Sequence, residues 1–157
     1  PGTVVVISRA NDTVNAKAII GNVTGNITNR GFSFYRLNTE RLVATIGNGT
    51  GQVVSADDPA SITTNNTIVV ARFDPANATP ALRSSMRQNG TVLLAPNSSS
   101  ATPDSGDSWS SLVSGAWGNG SLVFDGTISE KWLFALSLPE EDIEIVEADA
   151  TELWSLA

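Results

Sequence analysis

The sequence predicts an all-β domain, an antiparallel β-sandwich of the Ig-like or jelly-roll-like kind. We expect about nine to ten strands and one or two short helices. Three observations predict this fold. The chain has 157 residues, of which 41% are hydrophobic, enough for one core. Its apolar residues fall into short β-branched or alternating runs, and Gly- and Asn-containing turns separate them at regular intervals. Residues 1–157 are therefore expected to form a single domain.

The expected strands follow one another with short turns between them. The first is the uninterrupted β-branched run at 4–7. Further strands are expected at 16–23, 31–37, 41–46, 52–56, 67–73, 91–95, 121–128 and 131–138. Ile143 and Ile145 alternate with acidic residues and predict a last amphipathic strand. Short helices are expected at 81–88 and 109–114, and the Ser- and Asp-rich stretch 97–108 is typical of an exposed loop.

The alternation near the C-terminus predicts which side chains face the core. Those on the inner face of one strand are expected to be Trp132, Phe134, Leu136 and Leu138. Ile143 and Ile145 are expected on a neighbouring strand. If Phe134 is buried in this way, Phe134→Ala should cost on the order of 3–5 kcal/mol.

The chain is rich in the Asn-x-Ser/Thr pattern that accepts N-linked glycans. Nine of its thirteen Asn residues have this pattern: Asn11, Asn22, Asn26, Asn48, Asn65, Asn77, Asn89, Asn97 and Asn119. Crowding of Asn, Gly and Thr in β-turns is the alternative explanation for some of them. We predict covalent N-linked glycans and no other cofactor. Such a chain has crossed a membrane, which places it outside the cell or on its surface after removal of a signal peptide.

The composition excludes several kinds of chemistry. The chain has no Cys and no His, so disulfides and a Ser-His-Asp triad are excluded, and zinc lacks its usual ligands. The net charge of -7 argues against binding nucleic acid, and no apolar run reaches the roughly 20 residues of a membrane span. We therefore expect no catalytic and no metal site. The remaining catalytic alternative is a glycosidase that uses a carboxylate pair.

The candidate pairs for that alternative are Asp57 with Asp58, Asp104 with Asp107, and Glu140 with Glu141. Asp104 and Asp107 also leave open a cation-binding loop, although an ordinary polar loop is the preferred interpretation.

The C-terminal part of the chain differs from the rest in charge and aromatic content. Residues 139–152 contain seven acidic side chains and no basic one. The charge of this segment therefore equals the net charge of the whole chain, which is -7. All four Trp residues lie in the last 49 residues, and no glycan acceptor follows Asn119. Two interpretations remain open. The segment is either a sheet with a solvated acidic edge or a contact surface from which glycans are excluded.

With its dense glycan acceptors, missing Cys and β-rich pattern, the chain resembles archaeal N-glycosylated extracellular filament proteins of the pilus or thread type, or surface-layer proteins. The resemblance implies a homopolymer in which each copy donates its N-terminal strand to the next. The donor strand would lie within residues 1–10 and comprise Thr3, Val4, Val5, Val6, Ile7 and Ser8. A strand without polar alternation is typical of burial on both faces. Pairing of this strand within its own chain is the alternative.

A second function remains open beside the filament subunit, namely a non-catalytic surface adhesin or carbohydrate-binding domain. Trp117, Trp132 and Tyr35 are candidates for a platform on which sugar rings stack, although aromatic side chains in strands are usually core.

Overall fold

The computed structural model describes residues 1–11, 17–21, 31–36, 42–47, 52–58, 65–74, 76–79, 84–92, 97–98, 113–115, 123–154 and 156. These residues form two antiparallel sheets and one helix, which confirms a mostly β, antiparallel fold. The five-stranded sheet contains, in spatial order, β11 (Gly126–Phe134), β1 (Gly2–Ala10), β6 (Thr67–Phe73), β7 (Ser84–Gln88) and β8 (Thr91–Val92). The six-stranded sheet contains, in spatial order, β10 (Val113–Ser114), β2 (Lys17–Gly21), β3 (Gly31–Arg36), β4 (Leu42–Gly47), β5 (Gln52–Asp58) and β9 (Asn97–Ser98). The helix is α1 (Glu140–Trp154).

Strand β1 lies inside the five-stranded sheet with both of its edges paired. Val5 stands opposite Trp132 of β11 on one side and opposite Val70 of β6 on the other. Its apolar run is buried on both faces, because Val4 to Ile7 are each at most 1% exposed. The expectation that this run is covered from two sides is therefore confirmed, and the covering elements belong to the same chain.

Two apolar clusters cover the two faces of β1. The first has members from both sheets, which are Val4, Val6, Ile19, Ile20, Phe34, Leu42, Ala44, Val69, Ala71, Phe73 and Met86. The second lies between the five-stranded sheet and the C-terminal segment, with Val5, Ile7, Ile68, Val70, Leu138, Ile143 and Ala150 as its buried members. Successive strand residues point to opposite faces, so an unbroken apolar run can serve both clusters.

The prediction of a last strand at Ile143 and Ile145 is wrong, because this segment is helix α1. Ile143 is buried while Ile145 is 59% exposed, as expected for two residues about 200° apart around a helix. Pro139 immediately precedes the helix and accepts a hydrogen bond from the Ile143 N–H at 3.2 Å. The acidic first turn, Glu140 to Asp142, is favourable at the positive end of the helix dipole.

Two other predicted elements also differ. Residues 84–88, predicted as helix, form strand β7, which pairs with β6 and places Met86 opposite Ala71. The Asn89-Gly90 turn that follows has positive φ at both residues (48° and 77°), the geometry that joins tight hairpins. The two strands predicted at 121–128 and 131–138 are replaced by the single strand β11, and Leu136 lies beyond it, 50% exposed.

The other strand predictions are confirmed where the structure describes them, whereas the loop predicted at 97–108 begins with the short strand β9 and the helix predicted at 109–114 is wrong at its last two residues. Strand β6 has the predicted bounds, and β3, β4 and β5 lie within one or two residues of theirs. Of the helix predicted at 109–114, only 113–114 are described, and they form β10. Within the described ranges, no helix has both the length and the apolar character needed to cross a membrane.

Candidate functional site

An open groove runs between strand β11 and helix α1. It contains two adjoining cavities of about 240 Å³ each, which share Phe134 and Val146 in their walls. The first cavity is lined by Trp132, Phe134, Val146 and Asp149. The second is lined by Phe134, Leu138, Asp142, Ile145 and Val146. We call this feature the β11–α1 groove.

The strand supplies the aromatic wall of the groove. Trp132 and Phe134 are two residues apart on β11, so both point to the face of the sheet that α1 covers. Both rings are half-buried, because one side of each packs against the cluster beneath the helix. The exposed remainder of each ring lines the groove.

The helix supplies the opposite wall. Asp142, Val146 and Asp149 are spaced three or four residues apart and therefore lie along one side of α1. Val146 is half-buried against the sheet, whereas both carboxylates are exposed. The groove thus has an apolar floor and a carboxylate rim.

The connection between β11 and α1 is held in place by Thr3 and Arg72. The buried hydroxyl of Thr3 donates a hydrogen bond to the Leu136 carbonyl (3.0 Å) and accepts one from the Leu138 N–H (2.9 Å). The guanidinium of Arg72 donates to the Leu138 carbonyl at 3.1 Å. These bonds fix the start of the helix relative to β1 and β6, and with it the position of Leu138 at one end of the groove.

Ion pairs hold the other flank of the helix to the sheet. Arg87 of β7 is buried, and its Nε and Nη2 both lie 2.9 Å from Oε2 of Glu147. Its Nη1 bonds to Glu140, and its Nη2 donates to the Gly90 carbonyl at 2.9 Å. Burial acts to lower the pKa of Arg87, but hydrogen bonds and charge attraction from Glu147 and Glu140 outweigh it and raise the pKa above its usual value.

Arg72 is also bound on this flank. Its Nε donates to the Ser85 hydroxyl at 3.0 Å, and its Nη1 lies 3.5 Å from Oε2 of Glu140. Both arginines therefore neutralise helix carboxylates on the side away from the groove.

The groove combines the two kinds of group that recognise carbohydrates. Exposed aromatic rings pack against the apolar face of a sugar, and carboxylates accept hydrogen bonds from its hydroxyls. Among the described residues, no group of three acidic side chains converges to hold a metal ion.

Some predicted site residues lie apart from this groove. Tyr35 is on β3 of the six-stranded sheet and Trp132 is on β11 of the other, so the two belong to different sheets. Trp117 lies outside the described residues. Of the carboxylate pairs, Glu140 is bound to Arg87 and Arg72, Glu141 is exposed, and Asp57 and Asp58 end β5. Asp104 and Asp107 lie outside the described residues.

Val146 and Asp149 were missed because the segment was expected to be a strand. Val146 and Asp149 follow Asp142 by four and seven positions, a spacing that puts all three on one side of a helix. This spacing was the signal that the sequence offered.

Four of the predicted glycan acceptors have described side chains. Asn11, Asn65 and Asn89 are exposed, and Asn77 is half-buried. The backbone of Asn97 lies in β9. Outside the described residues lie Asn22, Asn26, Asn48 and Asn119. Attachment of glycans stays a prediction.

The predicted donor-strand residues, Thr3 to Ser8, all lie in β1 of their own chain. Exchange of this strand between chains stays a prediction.

Several solved structures share this fold. The CBM40 carbohydrate-binding module of the Ruminococcus gnavus IT-sialidase, solved with α2,3-sialyllactose, matches with a TM-score of 0.70 and 18% identity. The match covers 93% of this chain and 81% of the module. NanB sialidase from Streptococcus pneumoniae matches with a TM-score of 0.70 and 18% identity, over 92% of this chain but only 23% of that protein. The binding domain of botulinum neurotoxin DC, solved with SialylT, matches with a TM-score of 0.61 and 14% identity, over 94% of this chain and 35% of that one.

No protein-family model matches the sequence, and the search of curated proteins found no match either. At these identities the structural matches show a common fold. This chain accordingly has the fold of the CBM40 carbohydrate-binding module over nearly its whole length.

Proposed function

We propose that this chain is a non-catalytic carbohydrate-binding domain of a secreted or cell-surface protein, with a β-sandwich architecture. The observation that carries the proposal is the fold shared with a carbohydrate-binding module over 93% of the chain. The β11–α1 groove adds the chemistry that such a role needs. Structural similarity favours this reading over the filament subunit, because the matched proteins named above are a sialidase module, a sialidase and a toxin binding domain.

In this proposal the groove binds a sugar without reacting with it. The exposed parts of Trp132 and Phe134 pack against the C–H face of the ring. Asp142 and Asp149 accept hydrogen bonds from its hydroxyls. Thr3, Arg72 and Arg87 act as positioning residues, since they fix the helix against the sheet before the sugar arrives, which lowers the entropic cost of binding.

The proposal is tested with a printed array of neutral and sialylated glycans, followed by calorimetry with the sugar that binds best. We expect Trp132→Ala to weaken binding about tenfold or more, which corresponds to about 1.4 kcal/mol. Leu133→Ala is the matched control, because Leu133 is exposed and lies on the opposite face of the same strand. Circular dichroism checks that both variants remain folded.

Two results would contradict this proposal. The first is a folded protein that binds no glycan on the array. The second is release of a sugar product that stops when a single carboxylate, such as Glu141, is replaced, because this would show a glycosidase instead.

Two further expectations belong to the same proposal. A module of this kind acts outside the cell, which agrees with the glycan acceptors in the first 121 residues. The binding partner of the domain is then a glycan. Polymerisation by exchange of β1 between chains is the alternative.

A further inference from the structure

The described charged side chains that line the β11–α1 groove are all acidic. Asp142 and Asp149 are both exposed on its helix wall. They belong to the segment 139–152, which has seven acidic residues and no basic one. The described residues that line the two cavities include these two carboxylates and no cationic side chain.

The nearby cations are held elsewhere. Arg72 and Arg87 are bound to Glu140 and Glu147 on the far flank of α1. Arg72 also donates to the main-chain carbonyl of Leu138 at the end of the groove. Lys131 is exposed on β11, but it neighbours Trp132 in the strand and therefore points to the opposite face of the sheet. Among the described residues, the charged side chains that a ligand in the groove would meet are therefore carboxylates.

A groove with an aromatic wall and exposed carboxylates favours uncharged sugars and disfavours negatively charged ones. Ionised carboxylates accept hydrogen bonds from hydroxyls, so an uncharged sugar ring gains both stacking and polar contacts. A sugar that carries its own carboxylate is repelled. At separations of about 6–8 Å near a protein surface, with screening at about 0.1 M salt, each like-charged pair costs roughly fivefold to tenfold in affinity.

We infer that the β11–α1 groove selects uncharged sugar rings and rejects sialylated ends, an inference that rests on the proposed function. The CBM40 module with the same fold was solved with α2,3-sialyllactose and with α2,6-sialyllactose. In this chain, the described lining of the β11–α1 groove is anionic, which opposes a second negative charge.

The test compares glycans that differ only by a terminal sialic acid, with lactose against 3′-sialyllactose as the first pair. Any other neutral glycan that the array identifies is compared with its sialylated form in the same way. For the unchanged protein, we expect the neutral member to bind at least about fivefold more tightly at low salt. The difference should shrink in 1 M salt, where exposed charges are screened over about 3 Å.

Charge variants assign this preference to the groove. Asp149→Lys should move the ratio at least about tenfold toward the sialylated member, and Asp149→Asn should move it severalfold. Glu144→Lys is the matched control, because it makes the same charge change at an exposed position of α1 outside the groove lining. It should move the ratio by less than about twofold.

The outcomes separate the two proposals. If no glycan binds, the carbohydrate-binding function itself is wrong. If the sialylated member binds more tightly to the unchanged protein, this inference is overturned while the function stands. It is also overturned if Asp149→Lys and Glu144→Lys shift the ratio equally, or if Trp132→Ala leaves binding intact, since the sugar then lies elsewhere.

Discussion

Glu147 shows how a single residue can differ from its sequence neighbours. It belongs to an acidic run that, as a sequence, is typical of a solvated surface, yet it is 5% exposed and bound to Arg87. Its partner is 60 residues away in the sequence, so the pairing had no local signal. The pairing depends on α1 lying across β7. Among the described residues, none bonds to the second carboxylate oxygen of Glu147.

We predict that Glu147→Ala lowers the free energy of unfolding by on the order of 3 kcal/mol, measured by urea denaturation. The physical reason is that the buried guanidinium of Arg87 would lose its main partner and keep Glu140 and a carbonyl. Because the pKa of Arg87 is raised, its charge persists at all ordinary pH values. The stability that this raised pKa contributes is present below the unfolded pKa and is lost in strong alkali, as the pH rises through the folded pKa.

Two further variants isolate the pair. Glu144→Ala removes an exposed carboxylate from the same helix and should change stability by less than about 0.5 kcal/mol. The double variant Arg87→Met/Glu147→Leu removes both charges and should cost less than Glu147→Ala alone. Equal losses for Glu147→Ala and Glu144→Ala would show that the buried pair does not stabilise the fold.

At the scale of elements, strands were easier to predict than the helix. Strand β6 was predicted to the residue because its seven residues are mostly β-branched and pack on both faces. Helix α1 was missed because Ile143 and Ile145 alternate with acids. The helical signals in the sequence were Pro139 before an acidic first turn, and the apolar residues Ile143, Val146 and Ala150, which are three and four residues apart.

Strand β7 was missed for a different reason. Residues 84–88 include Met, Arg and Gln, which favour helices, but pairing with β6 and burial of Met86 override that local preference. The groove was beyond prediction for the same kind of reason. It exists only where α1 docks against β11, and docking depends on contacts between Thr3 and residues 136–138, more than 130 positions away.

At the scale of elements, the testable prediction concerns the pairing of strand β1 within its own chain. Because both edges of β1 are paired within its own chain, we expect the full-length protein to be monomeric, with the Val4–Ile7 amides strongly protected from hydrogen exchange. Deleting residues 1–8 should unfold the protein, since it empties the centre of both apolar clusters.

Strand exchange between chains predicts a different pattern. The full-length protein would form polymers visible by electron microscopy. The truncated chain would remain monomeric and fold only when a peptide of residues 1–8 is supplied. Size-exclusion chromatography of both forms, with and without the peptide, separates the two arrangements.

At the scale of the whole molecule, most of the glycan acceptors with described side chains lie apart from the groove. Three of the four acceptors with described side chains lie at one end of the five-stranded sheet. Asn11 follows β1, Asn65 precedes β6 and Asn89 follows β7. Strand pairing brings these ends together, because Ser8 stands opposite Thr67 and the Asn89 N–H donates to the Ile68 carbonyl at 3.0 Å. The described side chains that line the groove lie between residues 132 and 149, beyond the last acceptor in the sequence.

This distribution predicts a glycosylated protein whose groove stays accessible. The intact mass of native protein should exceed 16.4 kDa by several oligosaccharides, and glycopeptide mapping should find them at Asn11, Asn65 and Asn89. Asn77 should be occupied least. Asn77 is half-buried, unlike the exposed Asn11, Asn65 and Asn89, and Pro80 follows its acceptor pattern.

The same distribution makes a comparison between native and unglycosylated protein informative. The acceptors Asn11, Asn65 and Asn89 lie at one end of the five-stranded sheet, whereas Phe134 of the groove pairs with Thr3 near the other end, so both forms should bind the same sugar within about twofold. A native mass equal to that of the bare chain would reject glycosylation and leave the Asn-x-Ser/Thr patterns as turn sequences. A native form that binds sugar only after its glycans are removed would show instead that these glycans cover the groove, and the separation argued from the strand ends would be wrong.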